Sequence, residues 1–161
     1  MNQQSQNCFQ QNAPKYWARD LSVIPVKPRS KQPAIKKWSG FNVNLPSEEK
    51  QRDWLKNHAS AGIGLCTGAK IHNGLRIAAI DVDDDKFVQM VIETIGGAPC
   101  GKRGAKGITI FVLADAILKS SKLSPPGKKP RVEIFTTTGF VVLPPSIHPD
   151  TKAPYEWVGK P

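Results

Sequence analysis

Short apolar runs of strand length recur along this chain of 161 residues, and they set the strongest limit on its fold. Runs of this length are typical of buried strands, whereas helices need longer periodic segments. The pattern predicts strands at residues 21–26, 62–66, 75–80, 108–113, 132–135, 140–143 and 155–157. Two helical segments, 47–58 and 84–95, interrupt this series. The sequence therefore predicts an α+β fold with a largely antiparallel or mixed sheet and flanking helices.

Both helices carry chemical signals at their ends. Ser47 has the chemistry of an N-cap, and Glu48 and Glu49 follow in the first turn, where acids favour a helix. Gly96-Gly97 ends the second helix. We also expect a short helix at 14–19, after a flexible Gln/Asn-rich N-terminal segment at 1–13. No interior linker divides residues 14–161, so they are predicted to form a single domain.

Composition excludes several classes of protein. The three cysteines lie far apart without CxxC spacing, which argues against a disulfide framework and against a Cys-rich zinc site. No apolar run approaches the ~20 residues needed to span a bilayer, and the polar start is no signal peptide. We expect a cytoplasmic protein without a membrane partner, in which any metal ion would need oxygen ligands.

Positive charge is clustered along the chain, whose formal net charge is +10. The stretches 27–37, 102–106 and 119–131 hold thirteen of the 23 basic residues and none of the 13 acids. A solvated basic surface would have the same composition. Clusters free of acids nevertheless favour a polyanionic partner, either nucleic acid or nucleotide.

Two aspartates end one of the apolar runs, in the sequence Ile80-Asp-Val-Asp83. Side chains alternate along a strand, so Asp81 and Asp83 are predicted to point to the same side. Two neighbouring carboxylates repel each other unless cations neutralise them, and Mg²⁺ prefers carboxylate and phosphate oxygen. A simple strand exit followed by helix caps is the competing interpretation. We favour metal binding for this pair.

A Gly-rich basic turn, residues 101–109, enters the next strand. Its glycines would let backbone amides approach a polyphosphate, which Lys102, Arg103 and Lys106 could neutralise. The spacing does not match a Walker loop. A basic hairpin turn without a ligand explains the same residues equally well.

Polar residues in the last third of the chain complete the candidate set. Glu133 lies between apolar neighbours in a predicted strand, either on a solvent face or as the third carboxylate of a metal site. Further on, Pro144-Pro145 stops a buried strand and is followed by Ser146 and His148. These form either a rigid turn or, through His148, a contact to a phosphate or sugar.

Taken in order, these motifs resemble the primase–polymerase (Prim-Pol) domain of the archaeo-eukaryotic primase superfamily, found in phage and plasmid replication proteins. The resemblance runs from about Tyr16 to Trp157. Its most specific parts are Gly139-Phe-Val-Val-Leu-Pro-Pro-Ser146 and Tyr155-Glu-Trp157. Its other parts are Val23-Ile-Pro-Val26, Lys31-Gln-Pro33 with Trp38, the helix with Trp54, Gly62-Ile-Gly-Leu-Cys-Thr-Gly68, Ile80-Asp-Val-Asp83 and Val132-Glu133.

The resemblance implies an RRM-like sheet carrying the active site beside a smaller N-terminal α/β half. It implies a metal-dependent DNA primase or polymerase that transfers nucleotides from dNTPs or NTPs onto a single-stranded DNA template or a primer–template. By this likeness Asp81, Asp83 and Glu133 are the catalytic acids. They would hold two Mg²⁺ or Mn²⁺ ions, one activating the 3′-hydroxyl and one binding the triphosphate. Lys102, Arg103, Lys106, Thr109, Ser146 and His148 would bind the nucleotide and its phosphates.

One position departs from the family pattern. The family's second motif usually runs Ser-Gly-Gly-x-His, and Thr109 stands at its histidine, so a side chain that cannot carry charge replaces one that can. Two other hypotheses therefore stay open: a catalytically weak single-strand or origin DNA-binding module, and a metal-dependent nuclease. The nuclease is disfavoured because Ile134 and Phe135, rather than a lysine, follow Glu133. The 161 residues include no helicase or zinc module. The sequence is therefore also compatible with a fragment of a longer replication protein that has a helicase domain or partner. If the protein is phage-encoded, we expect it in a host cytoplasm.

Overall fold

The computed structural model describes residues 7–71, 73–97, 100–116, 119–124, 126–127, 129 and 131–160. Within them the chain forms three α-helices, nine strands and one short 3₁₀ helix at Trp38–Asn42. The helices are α1 Cys8–Trp17, α2 Glu48–Asn57 and α3 Asp85–Thr94. The strands are β1 Val23–Val26, β2 Gly62–Cys66, β3 Arg76–Val82, β4 Cys100–Arg103, β5 Ile108–Ala114, β6 Ser121–Leu123, β7 Val132–Phe135, β8 Phe140–Leu143 and β9 Glu156–Gly159. The α+β class is confirmed.

The strands form two antiparallel sheets. The small sheet has the order β1-β2-β8, and the large sheet has the order β6-β7-β3-β5-β4-β9. The resemblance implied a smaller half built from N-terminal residues. The small sheet differs from this expectation because it includes β8, which follows β7 in the chain. In the part of the chain that the structure describes, no helix has the length and apolar character needed to cross a bilayer.

The first helix begins earlier than predicted. It starts at Cys8, and Phe9 and Ala13 have no exposed surface, so residues 8–13 belong to the packed structure and are not a flexible segment. The buried residues Phe9, Ala13 and Trp17 follow at intervals of four and therefore share one helix face. This stripe was overlooked because Gln and Asn surround it. Residues 1–6 of the predicted flexible segment lie outside the described residues.

The other two helices agree closely with the sequence. Ser47 is the N-cap of α2, and its side chain accepts a hydrogen bond from the backbone N–H of Lys50 at 3.4 Å. Asp84 caps α3 by accepting from the N–H of Lys86 at 3.2 Å. Gly96 and Gly97, just beyond α3, have positive φ angles of 79° and 134°, which glycine adopts without steric cost.

The main core lies between the two sheets and determines where polar residues emerge. Ile77 and Ala79 on β3 and Phe111 on β5 point into it, together with side chains of the small sheet and of α1. The opposite face of the large sheet carries Ile80 and Val82, which pack with residues of α3. By alternation Asp81 shares the face of Ile77 and Ala79. It lies one row beyond the apolar part of that face.

Two strands were not predicted because their own sequences give no strand signal. β4 has the sequence Cys-Gly-Lys-Arg and pairs on both sides, with β5 and β9. β6, Ser121–Leu123, is exposed along its length and pairs with β7 at the edge of the large sheet. Neighbouring strands, and not local apolar pattern, define both elements. As a result, half of the predicted basic turn is a strand.

Candidate active site

A row of polar side chains crosses the large sheet at the end of β3. Asp81 lies directly opposite Glu133 on β7 and Thr109 on β5, and Thr109 lies opposite Lys102 on β4. Directly paired residues in antiparallel strands point to the same face, with Cβ atoms roughly 5 Å apart. The row therefore brings two acids, a hydroxyl and an ammonium group onto one face of the sheet.

A cleft of about 130 Å³ opens over this row. Asp81 and Asp83 form its acidic wall, as period-two alternation predicts. The cations of the cleft come from three parts of the chain: Lys102, Lys106 and Lys31. The remaining lining residues are Gly104, Ala105, Ile108, Thr109, His148, Asp150 and Tyr155. Acids and cations thus face each other across one small cavity.

The two acidic neighbours in the row have different partners. The Thr109 hydroxyl donates a short hydrogen bond of 2.5 Å to Oδ1 of Asp81, which fixes the orientation of that carboxylate. The carboxylate of Glu133 instead lies 3.0 Å from the ammonium of Lys122 on β6. Glu133 therefore shares the sheet face of Asp81, but it is not among the residues that line the cleft.

Lys102 is held in an unusual environment for a lysine, with 8% of its surface exposed. Its ammonium lies 4.4 Å from the centroid of the Tyr155 ring. Burial lowers the pKa of Lys102 from 10.5 to about 8, although Asp81 opposes the change. Burial, followed by the charge of Asp81, raises the pKa of Tyr155 to about 12. The buried Tyr155 hydroxyl has no hydrogen-bond partner among the described residues.

His148 is fixed in one tautomer at the edge of the same cleft. Its Nδ1 accepts hydrogen bonds from the backbone N–H groups of Asp150 and Thr151, at 3.1 and 3.3 Å, so the proton is on Nε2. Burial, followed by the charge of Lys31, lowers the pKa of His148 from 6.5, and the ring is therefore neutral at neutral pH. Nothing in the described part of the chain accepts a hydrogen bond from Nε2, which leaves that N–H available to a ligand.

Residues 104–107 connect β4 to β5, and residues 104–106 line the cleft. Oδ1 of Asp85 accepts a hydrogen bond from the N–H of Gly107 at 3.2 Å and also lies 3.7 Å from the Arg103 guanidinium. Gly107 has a φ of 61°, and a Cβ there would lie 1.8 Å from the carbonyl oxygen of Val82, so only glycine fits. Arg103, a predicted phosphate contact, therefore points away from the cleft, because alternation along β4 separates it from Lys102.

Ser146 is also placed differently from the sequence interpretation. It is 3% exposed, and its hydroxyl accepts a hydrogen bond of 2.8 Å from the N–H of Ile63 on β2. It lines a neighbouring cavity and not the cleft that holds Asp81. Its role in the structure is to fasten the start of segment 146–155 to the small sheet.

Three lining residues of the cleft with polar or charged side chains were not among the predicted site residues. Lys31 comes from the basic loop after β1, Tyr155 precedes β9, and Asp150 lies near His148. Lys31 and Tyr155 belong to motifs that the sequence did single out, Lys31-Gln-Pro33 and Tyr155-Glu-Trp157. No chemical role could be attached to them without knowing that these segments meet the end of β3.

The donor set suits a divalent cation, but it is not gathered around one point. Within the described ranges, no three His, Cys, Asp or Glu side chains lie close enough together to hold a metal ion. Asp81 and Asp83 supply carboxylate oxygens on one wall, and Glu133 lies opposite Asp81 with its side chain turned to Lys122. Oxygen ligands of this type fit Mg²⁺ or Mn²⁺.

The fold and the cleft define a two-sheet α+β domain whose site has one acidic wall and several lysines that line the same cleft. The family model described as "Bifunctional DNA primase/polymerase, N-terminal" matches residues 13–161 of the chain. The chain therefore belongs to the Prim-Pol family, which confirms the resemblance drawn from its motifs. Membership implies a function of the DNA primase/polymerase type, a nucleotidyl transfer. No individually curated protein matches the chain.

Proposed function

We propose that this domain catalyses template-directed nucleotidyl transfer on DNA and that the reaction takes place in the cleft over Asp81. The observation that carries the proposal is the polar row across the large sheet, in which Asp81 lies between Glu133 and Thr109 with Lys102 beyond. A triphosphate needs cations, and its metal ions need carboxylates. The row and the cleft above it bring lysine ammonium groups and aspartate carboxylates together in one cavity.

The acids would hold the metal ions. Asp81 and Asp83 already line the cleft, and the hydroxyl of Thr109 orients Asp81. Glu133 would complete it after exchanging its ion pair with Lys122 for a cation, a change of side-chain rotamer and not of backbone. Bound Mg²⁺ or Mn²⁺ would supply positive charge to the reacting phosphate and to the attacking oxygen.

The basic residues would bind the nucleotide. Lys102 faces the acids from β4, Lys106 from the β4–β5 connection and Lys31 from the loop after β1. Their ammonium groups suit the β- and γ-phosphates, which lie furthest from the reacting phosphorus. The Nε2–H of His148 and the hydroxyl of Tyr155, which has no hydrogen-bond partner among the described residues, would donate to a phosphate or sugar oxygen.

The reaction requires the protein mainly to position the reactants, and little covalent chemistry falls to its side chains. The 3′-hydroxyl oxygen of a primer or initiating nucleotide forms a bond to the α-phosphorus, and the bond to pyrophosphate breaks in line with it. The hydroxyl proton passes to solvent, so no side chain is assigned as general base. Template and primer would be single-stranded DNA or a primer–template, with dNTPs or NTPs as substrates.

A DNA-binding module without synthesis is the second candidate, and two observations favour it. Glu133 is paired with Lys122, and the family's histidine position holds Thr109, which hydrogen-bonds to Asp81. Both features would follow from loss of the catalytic metal site. The two candidates differ in one measurable respect, since only the first converts dNTPs into longer DNA.

The deciding experiment combines a primer–template, labelled dNTPs and Mg²⁺ or Mn²⁺. Wild type should extend the primer. The double variant Asp81→Asn/Asp83→Asn should reduce extension by roughly 100-fold or more, as expected for loss of metal-binding groups, with DNA affinity nearly unchanged. Glu49→Gln/Asp53→Asn, which removes two exposed acids of α2, is the matched control and should extend normally.

Each other outcome counts against the proposal in a different way. Extension by the Asp81→Asn/Asp83→Asn variant would show that the acids are wrongly assigned. A mobility shift of the DNA without extension by wild type would support the binding module. Shortening of the primer that depends on the two aspartates would support the nuclease.

A further inference from the structure

The loop after β1, residues 27–37, carries five positive charges. These residues, here called the basic loop, contain Lys27, Arg29, Lys31, Lys36 and Lys37 and no acid. All five are exposed. Among the residues that the structure describes, none of them pairs with a carboxylate within 4 Å. Five uncompensated charges on one segment create a positive potential suited to a polyanion.

The first half of the basic loop has a defined shape. Val26 and Pro33 form an antiparallel bridge, and the N–H of Lys27 donates to the carbonyl oxygen of Gln32 at 2.8 Å. Ser30 accepts a hydrogen bond from the N–H of Gln32 at 3.0 Å. Arg29, at the tip, has a φ of 53°, which is uncommon outside glycine. Lys27, Arg29 and Lys31 are therefore presented by a folded hairpin.

The hairpin stands between two cavities. On one side Lys31 lines the cleft that contains Asp81 and Asp83. On the other side residues 27–30 line a second cavity of about 320 Å³, which also touches Ser146 and Gly62. None of the described residues that line this second cavity is an acid. Positive charge thus continues from the cleft, over the hairpin, into a larger space.

We propose that the basic loop binds the sugar–phosphate backbone of single-stranded DNA and leads the strand from the cleft into the 320 Å³ cavity. Lysine and arginine contacts to phosphates hold a strand without reading its sequence, and they do so in a salt-dependent manner. The inference rests on the proposed function for the identity of the polyanion. Lys31 would connect the strand to the cleft, and Lys27 and Arg29 would hold it beyond the hairpin.

The test measures the affinity of the whole chain for a fluorescent oligodeoxythymidine at several salt concentrations. Lys27→Ala/Arg29→Ala should make the slope of log affinity against log salt less steep by about 1.4, since each lost contact to a single strand contributes about 0.7. Between about 50 and 200 mM salt, the variant should then lose roughly sevenfold less affinity than wild type. Lys15→Ala/Lys50→Ala, with the same change of charge on α1 and α2, should keep the wild-type slope.

A second variant guards against loss of folding. Arg29→Lys keeps the charge at the tip and should retain the wild-type slope, and thermal melting should confirm that each variant is folded. A slope in Lys27→Ala/Arg29→Ala equal to that of the control would overturn the inference. So would a weaker affinity for dNTP alone with an unchanged affinity for DNA. If wild type binds DNA but does not extend a primer, the proposed function fails, while the slope still decides on the loop.

Discussion

Replacing Lys102 by methionine should stabilise the folded protein at neutral pH, although this removes a residue proposed to bind phosphate. The ammonium is buried, and burial lowers its pKa from 10.5 to about 8. At about 1.4 kcal/mol per pKa unit, this difference corresponds to a free energy of about 3 kcal/mol that opposes folding when Lys102 is charged. Methionine has similar length, carries no charge and packs well against aromatic rings.

The sign and the pH window follow from linkage. Because the pKa of Lys102 is lower in the folded than in the unfolded protein, the unfolded state binds more protons between pH 8 and 10.5. The unfavourable contribution is complete below pH 8 and disappears as the pH rises toward 10.5. Loss of the cation–π contact with Tyr155 reduces the gain by about 1 kcal/mol. We therefore expect Lys102→Met to be about 2 kcal/mol more stable than wild type at pH 7.

Urea denaturation of both proteins at pH 7, 8, 9 and 10 tests this reasoning. Subtracting one free energy of unfolding from the other cancels the titration of groups that both proteins share. The advantage of Lys102→Met, about 2 kcal/mol at pH 7, should have disappeared by pH 10. Lys50→Met, at an exposed position of α2, should stay within about 0.5 kcal/mol of wild type at every pH. A difference that does not change with pH, or a less stable Lys102→Met at pH 7, would refute the argument.

Two further substitutions test how segment 146–155 shapes the cleft. A Cβ at Gly104 would lie 2.8 Å from the ring of Tyr155 and 2.9 Å from that of His148, so Gly104→Ala should displace these rings and weaken dNTP affinity roughly tenfold. Titration with a fluorescent dNTP measures this. Ser146→Ala leaves the buried N–H of Ile63 without its acceptor and should lower the free energy of unfolding by about 1–3 kcal/mol. Urea denaturation measures that loss.

Each of these substitutions has a matched control. Gly40→Ala adds a methyl group where no atom lies within 4 Å, and it should leave dNTP affinity unchanged. Ser39→Ala, at an exposed position, should leave stability unchanged. Weaker dNTP affinity in Ser146→Ala with full stability would show that the hydroxyl contacts the nucleotide, as the sequence interpretation held. Unchanged affinity in Gly104→Ala would place the nucleotide away from the two rings.

The helices and strands whose own residues carry a clear signal were predicted correctly. The limits of β7 and β8 agree with the apolar runs, and α2 begins where Ser47 and its acidic neighbours predict. β4 and β6 were missed because their partners define them. The predicted first helix starts at residue 14 instead of Cys8, because the buried face of α1, Phe9 to Trp17, needs only every fourth residue to be apolar. In each missed case the decisive information is a contact with another element of the fold.

The same distinction applies to the site. Alternation along one strand was enough to place Asp81 and Asp83 on one side, but it could not show which strands lie beside β3. The pairing of β3 with both β5 and β7 brings Thr109 and Glu133 to Asp81. Alternation also separates Lys102 from Arg103, a consequence that was missed because this stretch was interpreted as a turn.

The position of the cleft follows from the unequal size of the two sheets. On the face shared with the small sheet, the row through Ala79 pairs with Phe111 and Phe135 and is buried in the main core. The next row, through Asp81, is polar, and above it lie His148 and Tyr155 of segment 146–155 instead of another strand. The site therefore lies between rigid paired strands of the large sheet and segment 146–155, which is fastened to the small sheet. Binding depends on the anchoring of segment 146–155 as well as on the acids of the paired strands.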